Sequence, residues 1–149
     1  MYERIAVAVD GSEVSTAALN EAIKLAGVTH ATLLLLHVCE EMPMVWSIEG
    51  MASMPMEDVS LAFAAAGKQL LLRDQAEAEK SGIRAETKLV EDYSGRIGAV
   101  ISAEAKSWRA DLLVVGSHGR KGLDHLLMGS VAESVMRTAS MPVLLVRGK

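Results

Sequence analysis

The sequence contains little of what marks several common classes of protein. Cys39 is the one cysteine among 149 residues, which excludes an internal disulfide framework and favours a reducing compartment. No apolar run approaches the roughly 20 residues of a membrane-spanning helix. The first residues also lack the basic and apolar segments of a signal peptide. We therefore expect a cytoplasmic protein without a membrane partner.

Charge and aromatic content argue against nucleic acid as a partner. The net charge is -4, from 15 basic and 19 acidic residues, whereas a protein that binds duplex DNA normally presents a basic face. The aromatic residues are too few and too scattered for a base-stacking platform. They are Tyr2, Trp46, Phe63, Tyr93 and Trp108.

Half of the residues are hydrophobic and 23% are charged, with the charges spread along the chain, as in a globular protein. We expect one domain over residues 1–149.

Short apolar runs alternate along this domain with longer segments of helical periodicity. The predicted strands are 4–10, 31–38, 84–91, 111–116 and 142–147. The predicted helices are 13–26, 57–80, 94–108 and 130–140. Ser12 is the expected N-cap of the first helix and Gly27 its expected stop. Because parallel strands require crossover connections, the alternation predicts an open α/β sheet with helices on both faces.

Ligands of such sheets bind beyond the carboxyl ends of the strands, where the strand order reverses. Two predicted strand ends carry polar and glycine-rich segments: "DGS" at 10–12 and "GSHG" at 116–119. These segments line one crevice if the first and fourth strands are neighbours. The residue pattern alone leaves that adjacency open.

The stretch "GSHGRKGLDHLLMGSV" at 116–131 has the chemistry of a phosphate cradle. Gly116 and Gly119 lack side chains, so an anion can approach the backbone amides, and glycine adopts the positive φ that many such nests require. Gly129 and Ser130 open a helix whose N–H groups and dipole favour an anion. A tight turn and a plain helix cap are the structural alternatives for the two glycine pairs.

These residues resemble a known signature. Gly116-x2-Gly119-x9-Gly129-Ser130 matches the G-x2-G-x9-G-(S/T) pattern of the ATP-binding branch of the universal stress protein family. The start, "RIAVAVDGSEVSTAAL", is similar to the first strand and helix of that family, so the likeness spans nearly the whole chain. The resemblance implies a Rossmann-like fold of the adenine nucleotide alpha hydrolase type, with five parallel strands in the order 3-2-1-4-5.

The resemblance also implies an adenine nucleotide site, with ATP as the ligand and with Mg or Mn bridging its phosphates as an open option. Phosphates would meet Gly116, Gly119, Gly129, Ser130, Val131 and Ala132, and His118 would lie along the ribose and phosphate path. Ala8, Val9 and Asp10 would face the nucleoside, and backbone groups of Val38 would meet the adenine edge. Asp10 has the alternative of a plain Asp-Gly turn residue.

Other motifs argue against catalysis as the main activity. The chain has no G-x-x-x-x-G-K-[ST] loop and no obvious acidic residue that would position an attacking water. We therefore expect a regulatory protein of the stress response that binds ATP with little or no hydrolysis. A slow ATPase or nucleotidyl-transfer enzyme and a nucleotide-free dimeric scaffold are the alternatives.

Further expectations concern the remaining polar and apolar features. The four histidines show no metal-ligand spacing, so no metal held by side chains alone is expected. Arg120 and Lys121 are either solvated or folded over the phosphates, and the methionine-rich loop 42–56 is either packed on the body or a surface for a partner. The strand from Val143 to Arg147 would form a homodimer, as the resemblance implies, and any signalling partner is unidentified.

Overall fold

The computed structural model describes residues 1–39, 55–119 and 128–148. Strands and helices alternate along these residues, as the apolar periodicity predicts. The strands are β1 (Arg4–Ala8), β2 (Thr32–Cys39), β3 (Ala85–Glu91), β4 (Leu112–Gly116) and β5 (Val143–Val146). The helices are α1 (Glu13–Thr29), α2 (Met56–Lys80), α3 (Ile97–Ser107) and α4 (Ser130–Thr138). Most bounds differ from the predicted ones by one to three residues.

The strands form one sheet in the order β3-β2-β1-β4-β5, and each pair of neighbours is parallel. The expected order 3-2-1-4-5 is therefore confirmed. The chain builds outwards from β1 to β3 and then returns to place β4 on the other side of β1. The reversal of strand order consequently lies between β1 and β4, where such sheets bind ligands.

Each face of the sheet has its own apolar core. On one face α1 and α2 pack on side chains such as Val7, Leu33 and Leu35, and on the other α3 and α4 pack on Leu34 and Leu113. The central strands are apolar towards both faces, as strands covered by helices on both sides must be. The edge strand β3 is mostly exposed or half-buried, in keeping with its position. Among the described residues, no helix is both long and apolar enough to cross a membrane.

The first helix begins as predicted but ends later. Ser12 Oγ accepts a hydrogen bond from the Ser15 amide at 3.1 Å, which confirms Ser12 as the N-cap. The prediction that Gly27 stops α1 is wrong, because the helix continues to Thr29. His30 adopts the left-handed conformation at φ 60° and its amide donates to the Ala26 carbonyl, so the αL cap is made by a histidine.

Gly27 offers a prediction about stability. A Cβ at this helical position would have only Ile83 Cδ1 nearby, at 4.0 Å. Because alanine restricts the unfolded chain and fits here without contact strain, Gly27→Ala should raise the free energy of unfolding by about 0.5–1 kcal/mol. Urea denaturation followed by circular dichroism measures the change, and an unchanged or lower midpoint would contradict it.

Candidate functional site

The segments that follow β1 and β4 meet at the carboxyl edge of the sheet. Val7 of β1 pairs with Val114 of β4 in a parallel ladder, so both strands end at this edge. A Cβ built on Gly119 would lie 2.7 Å from Asp10 Oδ2, which shows that the Asp10 carboxylate rests against the Gly119 backbone. The structure thus supplies the adjacency that the residue pattern left open.

Asp10 also organises the turn that leads into α1. Its Oδ1 accepts a hydrogen bond from the Ser12 amide at 2.8 Å, and its own amide donates to Ser15 Oγ at 3.0 Å. Gly11 between them has φ 81°, a conformation that favours glycine. The carboxylate therefore stabilises a turn through one oxygen and lies beside Gly119 with the other.

The glycines of the signature are required for close packing rather than for unusual backbone angles. None of Gly116, Gly119 and Gly129 has a positive φ, so the positive-φ nest expected at Gly116 and Gly119 is wrong. A Cβ on Gly116 would lie 2.8 Å from Val14 Cγ1, because α1 packs directly against the end of β4. Gly116 is thus explained by packing, whereas Gly119 lies at the crevice.

The start of α4 is joined to the segment after β4. The Gly129 amide donates to the Ser117 carbonyl at 2.7 Å, and a Cβ on Gly129 would lie 3.0 Å from His118 Cα. Gly129 is the N-cap in an extended conformation and makes no side-chain cap hydrogen bond. The first-turn amides of α4, from Ser130 to Ala132, therefore open at the same edge as Asp10 and Gly119.

His118 belongs to the segment after β4 and lies next to Gly129 at the start of α4. Its Nδ1 is 3.0 Å from Ser117 Oγ, and the Ser117 side chain is buried. The Ser117 amide in turn donates to the Val146 carbonyl at 2.8 Å, which ties this loop to the end of β5. The ring of His118 is thus held at the crevice by a loop with fixed backbone contacts.

The residues expected at the nucleoside end lie at the ends of β1 and β2. The Val9 amide donates to the Leu36 carbonyl at 2.8 Å, so the hydrogen bonding between β1 and β2 continues one residue past Ala8. Val38 lies near the end of β2 and pairs with Val90 of β3. The expected site residues therefore lie at the carboxyl ends of β1, β2 and β4 or in the segments that follow β1 and β4, and at the start of α4.

One residue of this region was weighed from the sequence only as a metal ligand. His37 Nδ1 lies 2.7 Å from the Val9 carbonyl oxygen, in contact with the segment that carries Asp10. The available signal was a histidine in an otherwise apolar strand, "TLLLLHVC". Within the described ranges, no group of three or more His, Cys, Asp or Glu side chains could hold a metal ion.

Cys39 at the end of β2 is 3% exposed, and its Sγ lies 3.9 Å from the Phe63 carbonyl oxygen. Burial, with a smaller contribution from the charge of Glu91, raises the pKa of the Cys39 thiol above its ordinary value. The thiolate is the reactive form, so iodoacetamide at pH 7.5 should label the folded protein at least about tenfold more slowly than the urea-unfolded protein. Mass spectrometry of the labelled fraction gives both rates, and equal rates would contradict the expectation.

Two sequence features lie outside the described residues: the side chains of Arg120 and Lys121, and positions 42–54 of the methionine-rich loop. That loop was expected to extend to 56, but Met56 is the first residue of α2. The strand expected to run from Val143 to Arg147 ends at Val146.

Comparisons with known proteins agree with this architecture. The model of the universal stress protein family matches residues 1–147. A universal stress protein of Bacillus subtilis, YxiE, is 32% identical over 99% of this chain and 100% of its own length. The crystal structure of a universal stress family protein from Burkholderia pseudomallei is 29% identical, with a TM-score of 0.75 over 97% of this chain and 95% of that one. A universal stress protein crystallised in complex with cAMP is 25% identical, with a TM-score of 0.69 and coverage of 98% and 97%.

Proposed function

Because the chain belongs to the universal stress protein family, we propose that it is a cytoplasmic regulatory protein of the stress response that binds ATP at the carboxyl edge of its sheet. The observation that carries this proposal is the meeting of three segments at one crevice. Asp10 lies against Gly119, and the start of α4 is hydrogen-bonded to the chain after β4. A solved relative that holds cAMP supports an adenine nucleotide as the ligand class.

The phosphate end of the proposed site is the start of α4 together with the segment after β4. The amides of Ser130, Val131 and Ala132 have no helical acceptor, and the helix dipole places partial positive charge there. Gly119 is exposed and has no Cβ, so an anion can approach its backbone. Gly116, Gly129 and His118 complete this end, with the His118 ring along the ribose and phosphate path. Phosphate oxygens at this position would accept hydrogen bonds from both sides.

The nucleoside end is the end of β1 and β2. Asp10 carries negative charge, which would repel bare phosphates, so its carboxylate belongs to the ribose or base end or to a cation on the phosphates. The Leu36 carbonyl points towards β1. Because the backbone groups of every second residue in a strand point to the same side, those of Val38 also point to the side of β1, at a level just past Ala8. That position suits the adenine edge, with Ala8 and Val9 beside the nucleoside.

An Mg or Mn ion bound with ATP would be held mainly by the phosphates. Of the described side chains at the crevice, the Asp10 carboxylate is the group with the oxygen ligands that these hard cations prefer. One Asp10 oxygen already accepts a hydrogen bond from the Ser12 amide. This bond suits a carboxylate that supports the bound ligand better than one that activates a water. We propose little or no hydrolysis on this basis.

Native mass spectrometry of freshly purified protein, followed by calorimetry with ATP, tests the proposal. A bound mass matching ATP, or a dissociation constant in the micromolar range or below, is the expected result. Flat calorimetry together with a ligand-free mass would instead favour a dimeric scaffold, and steady release of AMP or phosphate would favour an enzyme. Either of the latter two results contradicts the proposed function.

We also propose that two copies pair through β5. This strand is at the edge of the sheet, and Leu144 on it is 37% exposed. An apolar strand with one unpaired edge invites pairing with another copy. Light scattering should therefore report about twice the monomer mass of 15.9 kDa, and a monomer at micromolar concentration would contradict the pairing.

A further inference from the structure

The imidazole of His37 is held between the sheet and α2. A Cβ built on Gly67 of α2 would lie 2.8 Å from His37 Cδ2 and 2.7 Å from Leu89 Cδ1. The missing side chain at Gly67 therefore creates the space that the ring fills. Its Nδ1 then reaches the Val9 carbonyl at 2.7 Å, and because a carbonyl oxygen only accepts, Nδ1 carries the proton and donates.

This hydrogen bond lies where the ladder between β1 and β2 ends. The Val9 amide donates to Leu36, and in a continued parallel ladder the Val38 amide would meet the Val9 carbonyl. Here the His37 imidazole donates a hydrogen bond to that carbonyl. Val9 is thus held through both its amide and its carbonyl, one residue before Asp10.

We propose that His37 is a positioning residue of the nucleotide pocket, an inference that rests on the function proposed above. By holding the Val9 carbonyl, it sets the direction in which the chain leaves β1 and so places the Asp10 carboxylate against Gly119. It also turns the Val38 amide from the ladder towards the ligand. Both effects act at the nucleoside end of the pocket. The backbone of the phosphate end is held by other hydrogen bonds, from the Ser117 amide to the Val146 carbonyl and from the Gly129 amide to the Ser117 carbonyl.

Two substitutions at position 37 separate this role from a general effect on the fold. In His37→Asn the side-chain amide places an N–H donor close to the position of Nδ1, whereas His37→Leu fills space without a donor. We expect His37→Leu to bind ATP about tenfold more weakly, the loss that one well-placed hydrogen bond produces. The ATP affinity of His37→Asn should stay within about threefold of that of the parent protein, because the asparagine keeps the donor.

Inorganic tripolyphosphate is the second probe, because it reports on the phosphate end alone. Its affinity should be the same for His37→Leu and the parent protein. If His37→Leu lowers the affinities for ATP and tripolyphosphate equally, the substitution acts on the fold as a whole, and this result would overturn the inference. Unchanged ATP affinity in His37→Leu, or a loss in His37→Asn as large as in His37→Leu, would overturn it as well.

Gly67→Ala tests the same contact from outside the pocket, and it remains informative if His37→Leu does not fold. The new Cβ displaces the imidazole without touching any residue of the proposed site, so ATP affinity should fall several-fold while tripolyphosphate affinity is unchanged. Gly27→Ala is the matched control, because it adds the same atom to a helix with open space and should bind ATP normally. If Gly67→Ala binds ATP as tightly as Gly27→Ala does, the inference is wrong. A parent protein that binds no ATP would instead refute the proposed function itself.

Discussion

Gly119→Val is expected to weaken ATP binding by at least about a hundredfold, as the loss of two or more charge-assisted contacts would. A Cβ at this position would lie 2.7 Å from Asp10 Oδ2, so the carboxylate has to leave its place. Asp10 cannot move freely, because its Oδ1 is held by the Ser12 amide at 2.8 Å. The two γ-methyl groups would also cover backbone that we assign to the phosphates.

The fold of this variant should persist, because Gly119 is exposed and lies outside the strands and helices. Calorimetry with ATP measures the affinity, and circular dichroism with urea denaturation checks the fold. Gly27→Val is the matched control, since the same side chain there meets only Ile83 Cδ1 near its Cβ, at 4.0 Å. A folded Gly119→Val protein that binds ATP within about threefold of the control would remove Gly119 from the proposed site.

Gly98→Ala should lower the free energy of unfolding by about 1–3 kcal/mol, the usual range for overpacking a tight contact. The added Cβ would lie 2.5 Å from Ser134 Cβ and 2.8 Å from the Val131 carbonyl oxygen. Ser134 and Val131 both belong to α4, so the helix has to move away from α3. This shift also displaces the Val131 amide, and we expect ATP affinity to fall with stability.

Comparison with Gly27→Ala isolates the effect of packing, because both variants replace a helical glycine by the same residue. Gly98→Ala should be less stable than the parent protein and Gly27→Ala more stable. Adding Ser134→Gly to Gly98→Ala removes the nearest clash and should recover part of the loss, while the contact with the Val131 carbonyl remains. Equal urea midpoints for Gly98→Ala and Gly27→Ala would show that α3 and α4 are less tightly packed than described.

The ends of α1 show how far local pattern reaches. The N-cap at Ser12 is a local interaction between residues three apart, so it was predictable from the residue types and is confirmed. The end of α1 was not predictable in this way, because a glycine near the end of a helical pattern can either stop the helix or lie within it. Gly27 is accepted within the helix, and His30 makes the left-handed turn three residues later.

The order of the strands illustrates a different limit. Strands β1, β2 and β4 are apolar towards both faces, so their composition identifies them as buried but does not distinguish their neighbours. The order came from the resemblance to a family and is confirmed by the ladders. From it follows the position of the crevice, because β1 ends beside β4.

The sequence by itself determined the alternation of strands and helices and the parallel α/β class, because periodicity and caps depend on residues close together in the chain. Only the tertiary structure decided that Asp10 touches Gly119, that Gly116 is required by Val14 and that His37 holds the Val9 carbonyl. Asp10 and Gly119 are more than a hundred positions apart along the chain, and His37 reaches from β2 to the residue that follows the neighbouring strand β1. Such contacts depend on how strands and helices pack and on where each side chain points, which a linear pattern does not specify.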